Sequence, residues 1–352
     1  MTDTLILREM ASMEKSTGPT VLSAGYVSLD IVSYRGRIWH SAGGTAANVA
    51  AILGYLGWQA AVVADLGNDL AGHEIREDLK KAKVSVRHVR LVDGAATPRL
   101  VHQIDANGHR YRFKCPTCHS RFPMSRPLRK RRVEELLELD LAPDVFFFDR
   151  LNAGTIALAE RFASKECLVI YEPSRPARPE WTARALRAAS VVKWANDRDP
   201  GLGTANPIDG QVWIRTSGRK GAEFKVGNGD WNTSDGFASK LVDAGGAGDW
   251  TTAGVARELH AAHQLTNENV CNALVQAQAL AALSCSVPGA RGLASHHAPD
   301  TVLRYAQTIA ANGTDLNELE LIWNGRNRRV PRTICNVCFH EAKVQTLAPT
   351  GT

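Results

Sequence analysis

The stretch that most constrains this chain is Leu241–Leu259, LVDAGGAGDWTTAGVAREL. A short apolar run ends at Asp243. Gly245, Gly246, Ala247 and Gly248 then lead into Asp249 and a helical pattern with Ala253, Ala256 and Leu259 on one face. Glycines ahead of a helix leave its first N–H groups bare, and together with the positive end of the helix dipole they form an anion site. A carboxylate in the first turn stabilises the helix end but would repel a bound phosphate. Asp249 makes chemical sense there if it takes a proton from a hydroxyl about to attack that phosphate. The plain structural alternative is a Gly-rich turn followed by an acidic helix start.

A second stretch repeats the design. In Ser41–Gly57, Gly43 and Gly44 precede a helical pattern with Ala47, Ala50 and Leu53 on one side. Asn48 sits early in that helix, where Asn is a poor helix former. It is either a cap or a side chain aimed at a ligand. Around these two stretches, apolar strands alternate with amphipathic helices. Val21–Val32 reads as a first strand running into a loop at Asp30, followed by strands at Ala60–Leu66, Val84–Val92, Asp144–Phe148, Cys167–Tyr171, Ser190–Trp194, Gln211–Thr216, Phe224–Val226 and Gly236–Val242. That rhythm predicts a three-layer α/β/α sandwich on a mostly parallel sheet. Residues 33–41 and 97–114 fall outside it. The second of these reads as a hairpin turning at Ala106-Asn107-Gly108, and the two together predict a small β lid over the ligand edge. The expected division is a loose tail over 1–19, a main domain over 20–305 and an extension over 306–352.

The order of these features resembles the PfkB, or ribokinase-like, family of sugar and nucleoside kinases. Gly43, Gly44 and Asn48 resemble its N-terminal glycine motif, and DAGGAGD at Asp243–Asp249 resembles its D-T-x-G-A-G-D. Between them, Lys193–Asp199 resembles an N-x-x-E magnesium motif with Asp in place of Glu. Thr216–Gly221 looks like a T-x-G-x-x-G nucleotide loop, and Val287–Ala290 like a late loop near the adenine. The resemblance implies roles. Asp249 would be the general base, and the N–H groups of Gly246, Ala247 and Gly248 the anion hole. Asp30, Gly43, Gly44 and Asn48 would hold the acceptor. Lys193, Asn196, Asp199, Thr216, Gly218 and Gly221 would serve ATP and Mg²⁺, and a monovalent cation stays open. Ala244 replaces the usual Thr and Asp199 the usual Glu, which leaves a reduced or altered activity open.

Four cysteines lie outside what the family requires. Cys115-Pro116-Thr117-Cys118 and Cys335-Asn336-Val337-Cys338 are two C-x-x-C knuckles. Together they would make a Cys₄ zinc site of structural type. Two redox pairs or disulfides are the alternatives. A zinc clasp requires the fold to return the C-terminal region to the foot of the lid.

Composition narrows the class. A net charge of +6 permits an anionic small ligand without demanding nucleic acid, and the one basic run, Arg126–Arg132, lacks interleaved aromatics. No apolar run approaches the ~20 residues that span a bilayer, and Met1–Thr20 lacks the pattern of a secretory signal, so a cytoplasmic enzyme is expected. The expected function is ATP-dependent phosphorylation of a hydroxyl on a sugar-like molecule. A nucleoside or pseudouridine kinase of the same fold is the alternative within enzymes, and a zinc-containing binding protein without catalysis the alternative outside them. Exposed lid strands could also pair between two chains as a homodimer.

Overall fold

The computed structural model describes residues 18–105, 108–198, 200–202, 205–313 and 335. The two ends expected to form a tail and an extension therefore lie largely outside the described residues. The same holds for Asp199, for Ala106 and Asn107 of the hairpin turn, and for Cys338.

The main sheet is built from β1 (Thr20–Ala24), β4 (Gln59–Gly67), β5 (Val84–Ser85), β6 (Val89–Val92), β9 (Val145–Phe148), β10 (Leu168–Tyr171), β11 (Val191–Ala195), β12 (Val212–Thr216), β13 (Ala222–Val226) and β14 (Asn232–Ser234). Its order is β14-β13-β12-β11-β10-β9-β1-β4-β5, with β6 also on β4. Pairing is parallel from β12 through to β5 and antiparallel only at β13 and β14. Nearly continuous apolar runs such as Val145–Phe148 fit strands covered on both faces. Alternation then splits each strand between two cores. Val145, Phe147, Ile170, Val191 and Ile214 face one side. That side packs on α1 (Thr45–Tyr55), α2 (Leu70–Lys81), α6 (Ala247–Ala262), α7 (Asn267–Ser284) and, after the short α8 (Gly292–His296), α9 (Pro299–Asn312). Phe146, Phe148, Val169, Tyr171 and Val192 face the other side, towards α3 (Lys130–Glu138), α4 (Ala153–Ala163) and α5 (Pro179–Ala188). The expected three-layer sandwich is the observed one.

The lid is a separate four-stranded sheet, ordered β3-β2-β7-β8 from β2 (Ser28–Tyr34), β3 (Arg37–Gly43), β7 (Arg99–Asp105) and β8 (Gly108–Arg112). It is larger than the sequence predicts. Val21–Val32 is two strands in two sheets, because the chain breaks at Gly25, where the Asp149 carboxylate lies 1.8 Å from the position of a Cβ. Two further readings are corrected. Val84–Val92 is two short strands, and Gly236–Val242 is not a strand. There the Val242 and Asp243 N–H groups both donate to the Cys285 carbonyl, and Leu241 is exposed, so an apolar run is drawn across a helix end instead of into a ladder.

Candidate active site

The two glycine stretches meet at one point. Asn48, in the first turn of α1, donates from Nδ2 to Asp249 Oδ2 at 2.7 Å, across 201 residues of chain. The oxygen of the same amide, Oδ1, is buried without a partner. Such an orphan acceptor awaits a donor, and a hydroxyl supplies one. Asp30 is 7% exposed and accepts from Ser28 Oγ at 2.7 Å. Gly43 leaves room for it, since a Cβ there would lie 2.0 Å from the Asp30 carboxyl carbon. Gly44 caps α1 at φ 85°, with the Tyr26 carbonyl pressed against it. Asp30, Gly43, Gly44, Asn48 and Asp249 are therefore brought together between lid and sheet.

Asp249 lies in the first turn of α6, after Gly246 in the left-handed region at φ 88°. A Cβ on Gly246 would come 2.5 Å from Ala290, so the turn needs glycine there. Burial pushes the Asp249 carboxyl up to about 8, and the nearby charge of Glu172 adds to this; Asn48 and Lys193 pull the other way. Burial likewise raises Asp30 to about 6, against the Ser28 hydrogen bond. Lys193 is fully buried, pairs with Glu172 at 3.1 Å and lies 3.9 Å from the position of a Cβ on Gly248. It lies beside the glycine turn. Thr252, one helical turn after Gly248, also donates to Glu172, at 2.7 Å.

The nucleotide-side segments are joined to each other. The Asn196 N–H donates to the Thr216 carbonyl at 2.8 Å, and Asn196 Nδ2 to Ser217 Oγ at 3.3 Å. Gly218 opens a short 3₁₀ turn and Gly221 closes it at φ 93°. Both lie at the C-terminal ends of β11 and β12, on the same sheet edge as Asp249. Hard oxygen and amide donors at Asn196 and Glu172 suit a hydrated Mg²⁺.

A further set of contacts joins the lid to the glycine turn at Asp243. Asp243 accepts the N–H groups of Gly245 and Gly289, each at 2.8 Å, and thereby holds the glycine turn against the 287–290 loop. Its other neighbours are His102, 3.4 Å away, and His109, 3.6 Å away. Burial would raise the Asp243 carboxyl, but His102 and the two N–H groups outweigh it and hold it below the ordinary range. Tyr111 stacks near His102, with ring centroids 4.7 Å apart. The lid is thus docked on the glycine turn by three ring side chains. Only the residue types were legible, because the register that aims His102 and Tyr111 inward is set by β2–β7–β8 pairing.

The opposite face of the lid carries the cysteines. The sulfurs of Cys115, Cys118 and Cys335 lie within 4.8 Å of one another, with Cys118 and Cys335 at 3.7 Å. They pack with Phe122 against Ile31 and Val101 of the lid.

The profile of the pfkB family of carbohydrate kinases matches residues 21–114 and 202–298. An ATP-dependent ribose-1-phosphate kinase of Halopiger xanaduensis is 28% identical over 290 residues, which cover 77% of this chain and 93% of that protein. Among solved structures, fructokinase from Vibrio cholerae O395, bound to fructose, ADP and calcium, is similar at a TM-score of 0.64 and 20% identity, covering 82% of this chain and 99% of that one. Aminoimidazole riboside kinase from Salmonella enterica, in complex with aminoimidazole riboside and an ATP analogue, is similar at a TM-score of 0.63 and 20% identity, covering 82% and 99%.

Proposed function

Because the chain belongs to the pfkB family of carbohydrate kinases, whose members carry out ATP-dependent phosphorylation of a sugar-like molecule, we propose that Asp249 is its general base and that the acceptor sits between Asn48, Asp30 and the Gly43-Gly44 turn. The Asn48–Asp249 hydrogen bond carries this reading, because it brings an orphan amide oxygen and a raised carboxyl to one point. The acceptor O–H gives its proton to Asp249. Its oxygen forms a bond to the γ-phosphorus of ATP as the bond from that phosphorus to the β–γ bridging oxygen breaks, and ADP leaves. The N–H groups of Gly246, Ala247 and Gly248 receive the charge on the transferred group. Lys193 adds positive charge beside them, and Glu172 holds it in place. Mg²⁺, when bound with ATP, neutralises phosphate charge. Asn196 and Glu172 would order its shell, and Thr216, Gly218 and Gly221 would line the nucleotide.

The kinase assignment displaces the alternative of a binding protein without catalysis. No helix among the described residues is long and apolar enough to cross a membrane. A pentose 1-phosphate is the first acceptor to try, given the ribose-1-phosphate kinase of Halopiger xanaduensis. The test is ADP release from ATP and Mg²⁺ over a panel of sugars and nucleosides, native chain against Asp249→Asn. Acceptor-dependent release that the substitution abolishes is the expected result. Release that survives Asp249→Asn would remove the base from the mechanism.

We also infer a structural zinc ion on the outer face of the lid. Zn–S bonds of about 2.3 Å in a tetrahedron put sulfurs roughly 3.8 Å apart, close to the Cys118–Cys335 separation of 3.7 Å. Three sulfurs from distant parts of the chain are already gathered, and Cys338 is the natural fourth ligand. Bound there, the ion would tie the region around Cys335 to the foot of β8.

A further inference from the structure

Two lid histidines and the carboxylate of the glycine turn converge on one small space. β7 and β8 pair antiparallel with His102 opposite Tyr111. His109 lies two residues before Tyr111 on β8, so the three rings share the inner face of the lid. His102 Nε2 lies 3.4 Å and His109 Nδ1 3.6 Å from one and the same atom, Asp243 Oδ1. One donor atom from each of the three residues lies within 4.8 Å of the others. Gly245 completes the enclosure. A Cβ there would come 2.5 Å from His102 Cε1 and 3.0 Å from both Asp243 Oδ1 and Tyr111 Oη.

Neither separation is that of a direct pair. A charged N–H donor reaches a carboxylate at roughly 2.7–2.9 Å. His102 is 2% exposed, and its Nε2 is buried with no hydrogen-bond partner. Two bonds of about 2.0–2.2 Å from one ion, at a tetrahedral angle, instead hold their donor atoms roughly 3.3–3.6 Å apart. Asp243 has the capacity for this. Its Oδ1 accepts the Gly245 N–H and its Oδ2 the Gly289 N–H, which leaves a second lone pair on Oδ1. His109 is 30% exposed and gives an ion a way in from solvent.

We propose that His102, His109 and Asp243 bind a divalent transition-metal ion of the zinc class, with the Tyr111 hydroxyl or a water in the fourth position. Two imidazole nitrogens and one carboxylate oxygen suit Zn²⁺, Co²⁺ or Ni²⁺, whereas Mg²⁺ prefers an all-oxygen shell. The Mg²⁺ that accompanies ATP therefore does not account for the site. The cysteines do not share it, because they pack on the other face of the lid. With three protein ligands instead of four sulfurs, it fills when metal is supplied, after the cysteine site. An ion here cross-links β7 and β8 to the turn that begins α6. Resting on the kinase reading above, the consequence is inhibition, since a lid pinned to the glycine turn no longer admits an acceptor between lid and sheet.

The experiment titrates the purified full chain with Co²⁺, following bound metal and the visible spectrum, and repeats the titration on His109→Gln and His102→Gln. Melting curves of both variants show that they fold. The native chain is expected to take up a further cobalt ion whose spectrum has d–d bands and no sulfur-to-cobalt charge-transfer band. Loss of either histidine should weaken that ion by at least the roughly 10–100-fold that loss of an outer-shell partner costs. Zn²⁺ added in the presence of excess Mg²⁺ should inhibit ADP release with a pentose 1-phosphate. A chelator should reverse the inhibition, and His109→Gln should resist it. Absence of the further ion, or an ion that both substitutions leave in place, would overturn the proposal. A charge-transfer band would do so too, by putting the cobalt on the cysteines. Zinc inhibition of equal strength in the native chain and His109→Gln would overturn the coupling to the lid. Histidine-dependent binding with no ADP release from any acceptor would support the metal site and sink the kinase reading. Acceptor-dependent ADP release from a chain that binds no further ion would do the reverse.

Discussion

Asp249 carries opposite consequences for rate and for stability. A carboxyl raised to about 8 is mostly protonated at neutral pH, so the free enzyme holds most of its base in the wrong form. With both substrates below saturation, kcat/KM should therefore rise with pH through about 8, and a flat profile from pH 6 upward would refute the assignment. The sign for folding runs the other way. Between the ordinary value of 3.8 and about 8 the folded chain binds a proton that the unfolded chain has released, so this residue's contribution to stability falls as pH rises across that window. Asp30, raised to about 6, acts in the same direction. Asp249→Asn should accordingly lower kcat by about 10²–10⁴-fold while melting higher than the native chain at pH 9. A lower melting temperature at that pH would mean the carboxylate stabilises the fold as an ion. Asp249 was legible in the sequence because a carboxylate straight after a glycine turn is a local pattern. Its raised pKa was not, because the burial and the Glu172 charge that cause it arise only through the fold.

Two turns preceding helices make the site, and each depends on glycine for a different reason. At Gly246 the backbone is left-handed and Ala290 fills the space where a side chain would go. Gly246→Ala should cost on the order of 1–3 kcal/mol, measured by denaturant unfolding, and lose activity with it. At Gly43 the space belongs to the Asp30 carboxylate. Gly43→Ala should displace that carboxylate and raise the acceptor KM well before it changes the KM for ATP. Equal effects on both would show that Asp30 does not touch the acceptor. Both turns were readable as glycine followed by a helical apolar pattern. The boundaries that failed, at Gly25 and in Gly236–Val242, failed for one reason. An apolar run implies a ladder strand, but a carboxylate against Gly25 and a carbonyl at Cys285 redirect the backbone.

Across the whole molecule, the lid links two distant functions. Its inner face docks on the glycine turn through His102, His109 and Tyr111, and its outer face packs on Cys115 and Cys335. Loss of the metal is therefore expected to act on acceptor binding. Metal analysis of the purified chain should find about one zinc per chain, and Cys335→Ser should release it. The variant should melt at lower temperature and show a raised acceptor KM with little change in the KM for ATP, whose loop lies on the main sheet. A zinc-free native chain with unchanged kinetics would remove the clasp.

The sequence by itself determined the alternation of strand and helix, the two glycine turns, Asn48 and Asp249 as their polar residues, and the paired cysteines. All of these are local patterns, written within a few residues of spacing. Tertiary structure alone decided that Asn48 meets Asp249 across 201 residues, that Lys193 is buried on Glu172 beside the glycine turn, and that the lid rings close on Asp243. Those juxtapositions follow from strand order and sheet register. Both are set by how two apolar faces pack, and not by any spacing along the chain.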